Sequence, residues 1–135
     1  MAVKMTAISQ IDTKGRLMIP KSIRKAIGLA EGMYVLLMAD IGNRQLAVSP
    51  FADPTAKLVR FRIRIPDFPG SLARMARVLA DINVDLLATE SRTLQRGQLA
   101  EWFVIADVSS CSCTLDEARE RILREGARDV EVRSY

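Results

Sequence analysis

The sequence predicts two domains: a mainly β segment over residues 1–52, and an α+β segment over residues 57–135 with the element order βαββαβ, joined by a linker at 53–56. Three observations predict this division. Charge is split, with seven basic residues (Lys4, Lys14, Arg16, Lys21, Arg24, Lys25, Arg44) against three acids (Asp12, Glu31, Asp40) up to Ala52, and 13 of each sign beyond it. Ser49-Pro50-Phe51-Ala52-Asp53-Pro54-Thr55 gathers two prolines among small residues, which interrupts the periodic patterns on both sides. Val59, Phe61, Ile63 and Ile65 alternate strictly with Arg60, Arg62 and Arg64, the signature of a half-buried strand, before apolar residues recur at helical spacing.

At 49% hydrophobic and 27% charged, with a net charge of +4, the chain has the composition of a folding protein and is neither collagen-like nor disordered. Its longest apolar run, residues 33–39, falls far short of the roughly 20 residues a bilayer crossing needs. The N-terminus lacks the apolar core of a signal peptide, so a cytoplasmic protein without a membrane partner is expected. A basic segment beside a neutral one implies one part that meets a polyanion and another with a separate task.

In the first segment Arg16-Leu17-Met18-Ile19 reads as a short strand, residues 33–39 as a strand apolar on both sides, and residues 44–49 as one alternating through Leu46 and Val48, with Gly42-Asn43 at the turn. Between them Pro20 fits the first position of a two-turn helix that Gly28 ends. Ile23, Ala26 and Ile27 form its apolar side and Lys21, Arg24 and Lys25 the opposite one, a phosphate-contact geometry or an ordinary solvated face. Some fifty residues with one short helix cannot cover both faces of the 33–39 strand, so a second chain is expected to complete the core.

The run Ile11-Asp12-Thr13-Lys14-Gly15-Arg16-Leu17-Met18-Ile19-Pro20-Lys21-Ser22-Ile23-Arg24-Lys25, followed by Gly28-Leu29 and Gly32-Met33, resembles the AbrB/MazE-type (SpoVT-AbrB) swapped-hairpin DNA-binding domain over roughly residues 5–50. That resemblance implies an obligate dimer of interleaved hairpins gripping double-stranded DNA. Lys14 and Arg16 in the loop, and Arg24 and Lys25 on the helix, take the places of the family's DNA contacts; Lys21 is a further phosphate contact. Ser9 and Gln10 stand where several members carry basic residues, which implies a smaller footprint and lower affinity.

The second segment opens with the alternating strand and continues into a helix through Leu72, Met75, Ala76, Leu79 and Ile82. Residues 84–94 and 98–109 read as strands joined at Gln95-Arg96-Gly97, Thr114 to Glu117 as a capping box opening a second helix closed by Gly126, and Val130 with Val132 as a last strand. The order is the ferredoxin-like one, whose functions vary too widely to choose among. Asp67-Phe68-Pro69-Gly70-Ser71-Leu72, with Ile82-Asn83-Val84 after the helix, resembles the ACT domain, a small-molecule regulatory module, over about residues 57–135. The residues support a site by themselves: proline presets the first helical turn, glycine lets a ligand approach the backbone, and free N–H groups at a helix start attract a carboxylate. The resemblance implies that Gly70, Ser71 and Leu72, with Pro69 shaping the turn, take an amino acid's carboxylate. It also implies that Asn83 reaches the ligand from the next strand, and that Asp67 accepts its ammonium group or only shapes the loop.

Arg60, Arg62 and Arg64 are expected to pair with acids on adjacent strands, Glu131 and Glu101 foremost, rather than extend a nucleic-acid surface. Trp102 and Tyr34 read as core or interface aromatics. Cys111 and Cys113 from two copies would offer four sulfurs to zinc, but the segment reads as a loop without histidine or a second pair, so neither metal nor cofactor is expected beyond an amino-acid effector. With no histidine and no nucleophile motif, no enzyme is expected. The sequence as a whole implies a DNA-binding transcription regulator, a homodimer or higher homo-oligomer, whose second domain senses a small molecule. The alternatives are an autoregulating antitoxin and a regulatory subunit of an amino-acid biosynthetic enzyme.

Overall fold

The computed structural model describes residues 4–135, which divide into two compact units meeting at Pro54 and Thr55. In the first unit, α1 spans Lys21–Ile27, β1 Tyr34–Asp40 and β2 Gln45–Ala52. Pro20 lies one position before the helix, with ψ 145°, instead of in its first turn. Its carbonyl still accepts the first helical bond, from the Arg24 N–H. Gly28 ends the helix in the left-handed region at φ 77°, its N–H returning to the Arg24 carbonyl.

β1 and β2 form an antiparallel two-stranded sheet. Asp40 fixes the connecting turn by accepting the Asn43 backbone N–H (3.2 Å) and side-chain amide (2.9 Å). These bonds hold its carboxyl below the usual range, the side-chain amide contributing most. Two expectations are corrected here. Arg16–Ile19 is not a strand: residues 9–12 lie beside it, with the Asp12 N–H on the Arg16 carbonyl and the Ser9 hydroxyl on the Met18 carbonyl at 2.8 Å, but among the described residues these bonds do not continue into a ladder. The 49–55 prolines do not stop β2, which runs through Pro50 to Ala52: a two-stranded ribbon is all edge, where a residue without an N–H is tolerated, and the register shifts by a residue beside it, between Tyr34 and Val35.

In the second unit β3 is Leu58–Ile65, α2 Ser71–Asp81, β4 Asp85–Gln95, β5 Leu99–Asp107, α3 Leu115–Arg124 and β6 Asp129–Ser134. The sheet order is β4-β5-β3-β6 with every neighbouring pair antiparallel. Val59, Phe61, Ile63 and Ile65 on β3, Trp102, Val104 and Ala106 on β5, and Val130 on β6 turn to one face, where Met75, Val78, Leu79 and Ile82 from the α2 side and Ala118 and Ile122 of α3 cover them. Ala56, in the predicted linker, is buried, and Leu72, read as part of the helix's apolar side, is exposed. Thr114 caps α3 by accepting the Glu117 N–H at 3.2 Å.

Phe61 is fully buried at the centre of this core. Phe61→Ala should lower unfolding free energy by about 4 kcal/mol, the usual cost of deleting a buried aromatic side chain. Urea denaturation of the full chain measures it.

Candidate functional site

The loop entering α1 is built on one carboxylate. Asp12 accepts the backbone N–H groups of Arg16 (2.8 Å) and Lys14 (2.9 Å) through Oδ1, and Arg16 Nε through Oδ2 at 2.7 Å. The Arg16 backbone and guanidinium bonds hold the Asp12 carboxyl below its ordinary range. Gly15, at φ 76°, makes the turn that brings Arg16 back over Asp12. Arg24 Nε is likewise engaged, donating to the Ile19 carbonyl at 2.9 Å. Of the five predicted DNA contacts, Arg16 and Arg24 therefore also shape the backbone. Lys14, Lys21 and Lys25 stand exposed, with no ion-pair partner among the described residues.

In the second unit a cavity of about 200 Å³ opens where the β3–α2 loop meets β4 and β5, lined by Asp67, Phe68, Ser71 and Leu72 from the loop and helix start and by Ser91, Arg92, Thr93, Ala100 and Glu101 from the strands. The sequence-predicted set is brought together only in part. Asp67, Ser71 and Leu72 line the cavity; Pro69 and Gly70 lie in the turn beside it. Gly70 caps α2 at φ 91°, a backbone conformation that favours glycine, and a β-carbon there would meet nothing within 4 Å, so the approach to the helix start is open. Asp67 shapes the loop through one of its oxygens. Its Oδ2 accepts the Gly97 N–H at 2.7 Å, and its own N–H donates to the Gln98 carbonyl, tying the loop to the β4–β5 turn.

Asn83 belongs elsewhere. It lies past the far end of α2, whose 11 residues span roughly 16 Å. Held at φ 62°, it donates its side-chain amide to the Ser110 carbonyl at 3.0 Å. With the Ser112 N–H on the Ile82 carbonyl, that bond pins the loop carrying Cys111 and Cys113, whose sulfurs lie 3.8 Å apart. Burial, then the neighbouring Cys111, pushes the Cys113 thiol up. Among the described residues no group of three or more His, Cys, Asp or Glu side chains is placed to hold a metal, and no helix is long and apolar enough to cross a membrane.

The residues that sequence reasoning missed at the cavity are Glu101, read only as a partner for β3, and Arg92. Glu101 is 4% exposed. Its Oε2 accepts Arg62 (3.2 Å) and Arg64 (3.0 Å), and its Oε1 accepts Arg92 (3.2 Å). Arg62 continues to Glu131 at 2.7 Å and Asp129 at 3.6 Å. Two members of the β3 arginine row thus pair with the acids named for them, whereas Arg60 lies over the Phe103 ring, 5.5 Å from its centre. Burial pushes the Glu101 carboxyl up, but the bonds from Arg64, Arg92 and Arg62 outweigh it and leave it below its ordinary value of 4.5.

No protein-family model matches the chain, and no curated protein matches it in sequence. Among solved structures, the C-terminal domain of the MgtC protein from Mycobacterium tuberculosis is similar, with a TM-score of 0.46 and 10% identity, covering 62% of this chain and 92% of that one.

A lowered carboxyl pKa contributes stability that is complete above the unfolded value and is lost as pH falls through the folded one. Glu101→Gln should therefore destabilise the fold at neutral pH by about 2 kcal/mol, a buried-pair loss reduced because Arg64 and Arg92 are partly solvated. It should also flatten the decline in stability below pH 4.5. Thermal unfolding of both proteins from pH 7 to pH 3 reads both effects.

Proposed function

We propose that the protein is a dimeric, DNA-binding transcription regulator whose second unit senses a small molecule, an amino acid. One observation carries the reading. The first unit has no buried residue on α1, and its larger apolar side chains, including Ile8, Ile11, Leu17, Met18, Ile27, Leu37, Met38, Ile41 and Leu46, stand exposed, while the whole charge excess of the chain lies in the same segment. Fifty residues that bury so little need a second chain, and a swapped-hairpin dimer of the AbrB-like kind supplies one. Arg16–Ile19 would find its strand partner in that dimer. The second copy then sets two α1 helices, each with Lys21, Arg24 and Lys25 outward, as a repeated phosphate-binding surface.

The sensor rests on the 200 Å³ cavity at the start of α2. It has room for a molecule of a few heavy atoms, below the range of drug-sized pockets. The open helix-start N–H of Leu72 and the Ser71 hydroxyl, with the Arg92 guanidinium among the strand residues that line the same cavity, suit a carboxylate. Asn83 has no part in this reading. The folded second unit, with its own core, favours a sensor over the unstructured toxin-binding tail an antitoxin would carry.

Lys21→Ala with Lys25→Ala should leave folding intact and reduce the salt slope of DNA binding by about two, one released counterion for each lost phosphate contact. Salt titration on the DNA selected from a random duplex pool measures it; an unchanged slope and affinity would remove the DNA assignment.

A thermal-shift screen of the full chain against the twenty amino acids should find one that stabilises it, by about 2.7 kcal/mol at a hundredfold excess over Kd. Leu72→Trp, an exposed position at the cavity mouth, should keep the ligand-free melting temperature and abolish the shift. If no amino acid shifts the parent protein, the second unit is not an amino-acid sensor.

A further inference from the structure

The face of the four-stranded sheet turned away from α2 and α3 carries three cross-strand ranks. The pairing registers place Ala88, Ile105, Arg60 and Arg133 in the first, Glu90, Phe103, Arg62 and Glu131 in the second, and Arg92, Glu101, Arg64 and Asp129 in the third. Arg62, Arg64, Arg92, Arg133, Glu101, Asp129 and Glu131 are all joined by ion pairs within the chain. Among the described residues that network leaves one cation and one anion of these ranks without an ion-pair partner, Arg60 and Glu90. Both are exposed, and they line the same cleft of about 440 Å³ with Phe103 and Ile105 at its floor.

Their placement is symmetric. Arg60 on β3 and Glu90 on β4 lie on opposite sides of β5, each one strand spacing of about 4.8 Å away, and they are offset by one rank. The midpoint between them falls on β5, between Ile105 and Phe103. A two-fold axis lying above that point, parallel to the sheet and perpendicular to the line from Arg60 to Glu90, sets Arg60 of one copy over Glu90 of another and repeats the exchange in reverse. The half-buried Phe103 and Ile105 then meet their own equivalents near the axis.

We propose that this face is an interface with a second copy of the same chain, in which Arg60 of each copy pairs with Glu90 of the other across Phe103 and Ile105. Four strands by three ranks cover only a few hundred Å², below the roughly 800 Å² per partner of a free-standing interface. The contact therefore works where the copies are already tethered, at the high effective concentration a first interface supplies. In that respect it rests on the dimer proposed above.

Charge reversal in pairs tests it. Arg60→Glu places two acids together in its own homodimer, and Glu90→Arg places two guanidinium groups together, whereas the mixed dimer of the two variants has both pairs restored. Full-length Arg60→Glu and Glu90→Arg, differently tagged and co-expressed, should pair with each other in roughly four-fifths or more of dimers by native mass spectrometry, against about one half for indifferent pairing. The double variant carrying both changes supplies a second readout: co-expressed with wild type, it should pair with itself and avoid wild type. A dimeric protein with random pairing in both experiments overturns the sheet-face contact and leaves the first-unit dimer standing. A monomeric wild type at micromolar concentration overturns both.

Discussion

The register of β3 is the constraint on which the second unit depends. The strand is central, paired on both sides, and alternates so strictly that a slip of one residue would bury Arg60, Arg62 and Arg64 under the helices and expose Phe61 and Ile63. Both outcomes are too costly to populate, so β5 and β6 are locked relative to β3. That lock sets Glu101 opposite Arg64 and Glu131 opposite Arg62. The carboxylate of Glu101 can be buried because three guanidinium groups arrive at it from two different strands, and it can be reached by three only in this register. Core and ion-pair face are thus two readings of one alternation.

The first unit lacks such a constraint within the chain. Its strands have one partner each, its helix buries nothing fully, and its turns are held by local carboxylates, Asp12 before the helix and Asp40 between the strands. Those bonds fix loops without generating a core. The conformation of Arg16 and Arg24 is set by short-range hydrogen bonds to Asp12 and to the Ile19 carbonyl, so local bonds rather than tertiary packing shape the basic surface. A unit with ordered turns and exposed apolar strands is suited to forming its core with a copy of itself.

What was legible in the sequence was what depends on neighbours along the chain. The Val59–Ile65 alternation, the Thr114 cap and the Gly28 helix end each need only a few consecutive residues, and the structure has all three, with the Thr114 hydroxyl rather than its backbone N–H meeting the Glu117 carboxylate. What was not legible depends on distant residues. Arg16–Ile19 has the composition of a strand, but its bonds to Ser9 and Asp12 do not extend into a ladder. Pro50 reads as a breaker until it is seen on an edge. Asn83 follows a helix whose start carries the candidate site, and only the length of that helix shows it to be at the wrong end, where its positive φ and its bond to Ser110 serve a different loop. Arg92 carried no local signal: its meaning comes from the antiparallel pairing that sets it beside Glu101.

The same accounting of partners bears on where a polyanion can act. The second unit is rich in arginine, yet most of the arginine on its open sheet face is drawn into ion pairs with Glu101, Asp129 and Glu131, and a paired guanidinium projects little net field beyond a Debye length of about 8 Å at physiological salt. Among the described basic residues of the first unit Arg16 is drawn into a salt bridge, with Asp12, and Lys14, Lys21 and Lys25 remain open to solvent. Arginine count alone points to the second unit, and net charge points to the first. Among the described residues, the excess positive charge that can project a long-range field lies in the first segment, while the sheet face keeps one arginine and one glutamate without an ion-pair partner.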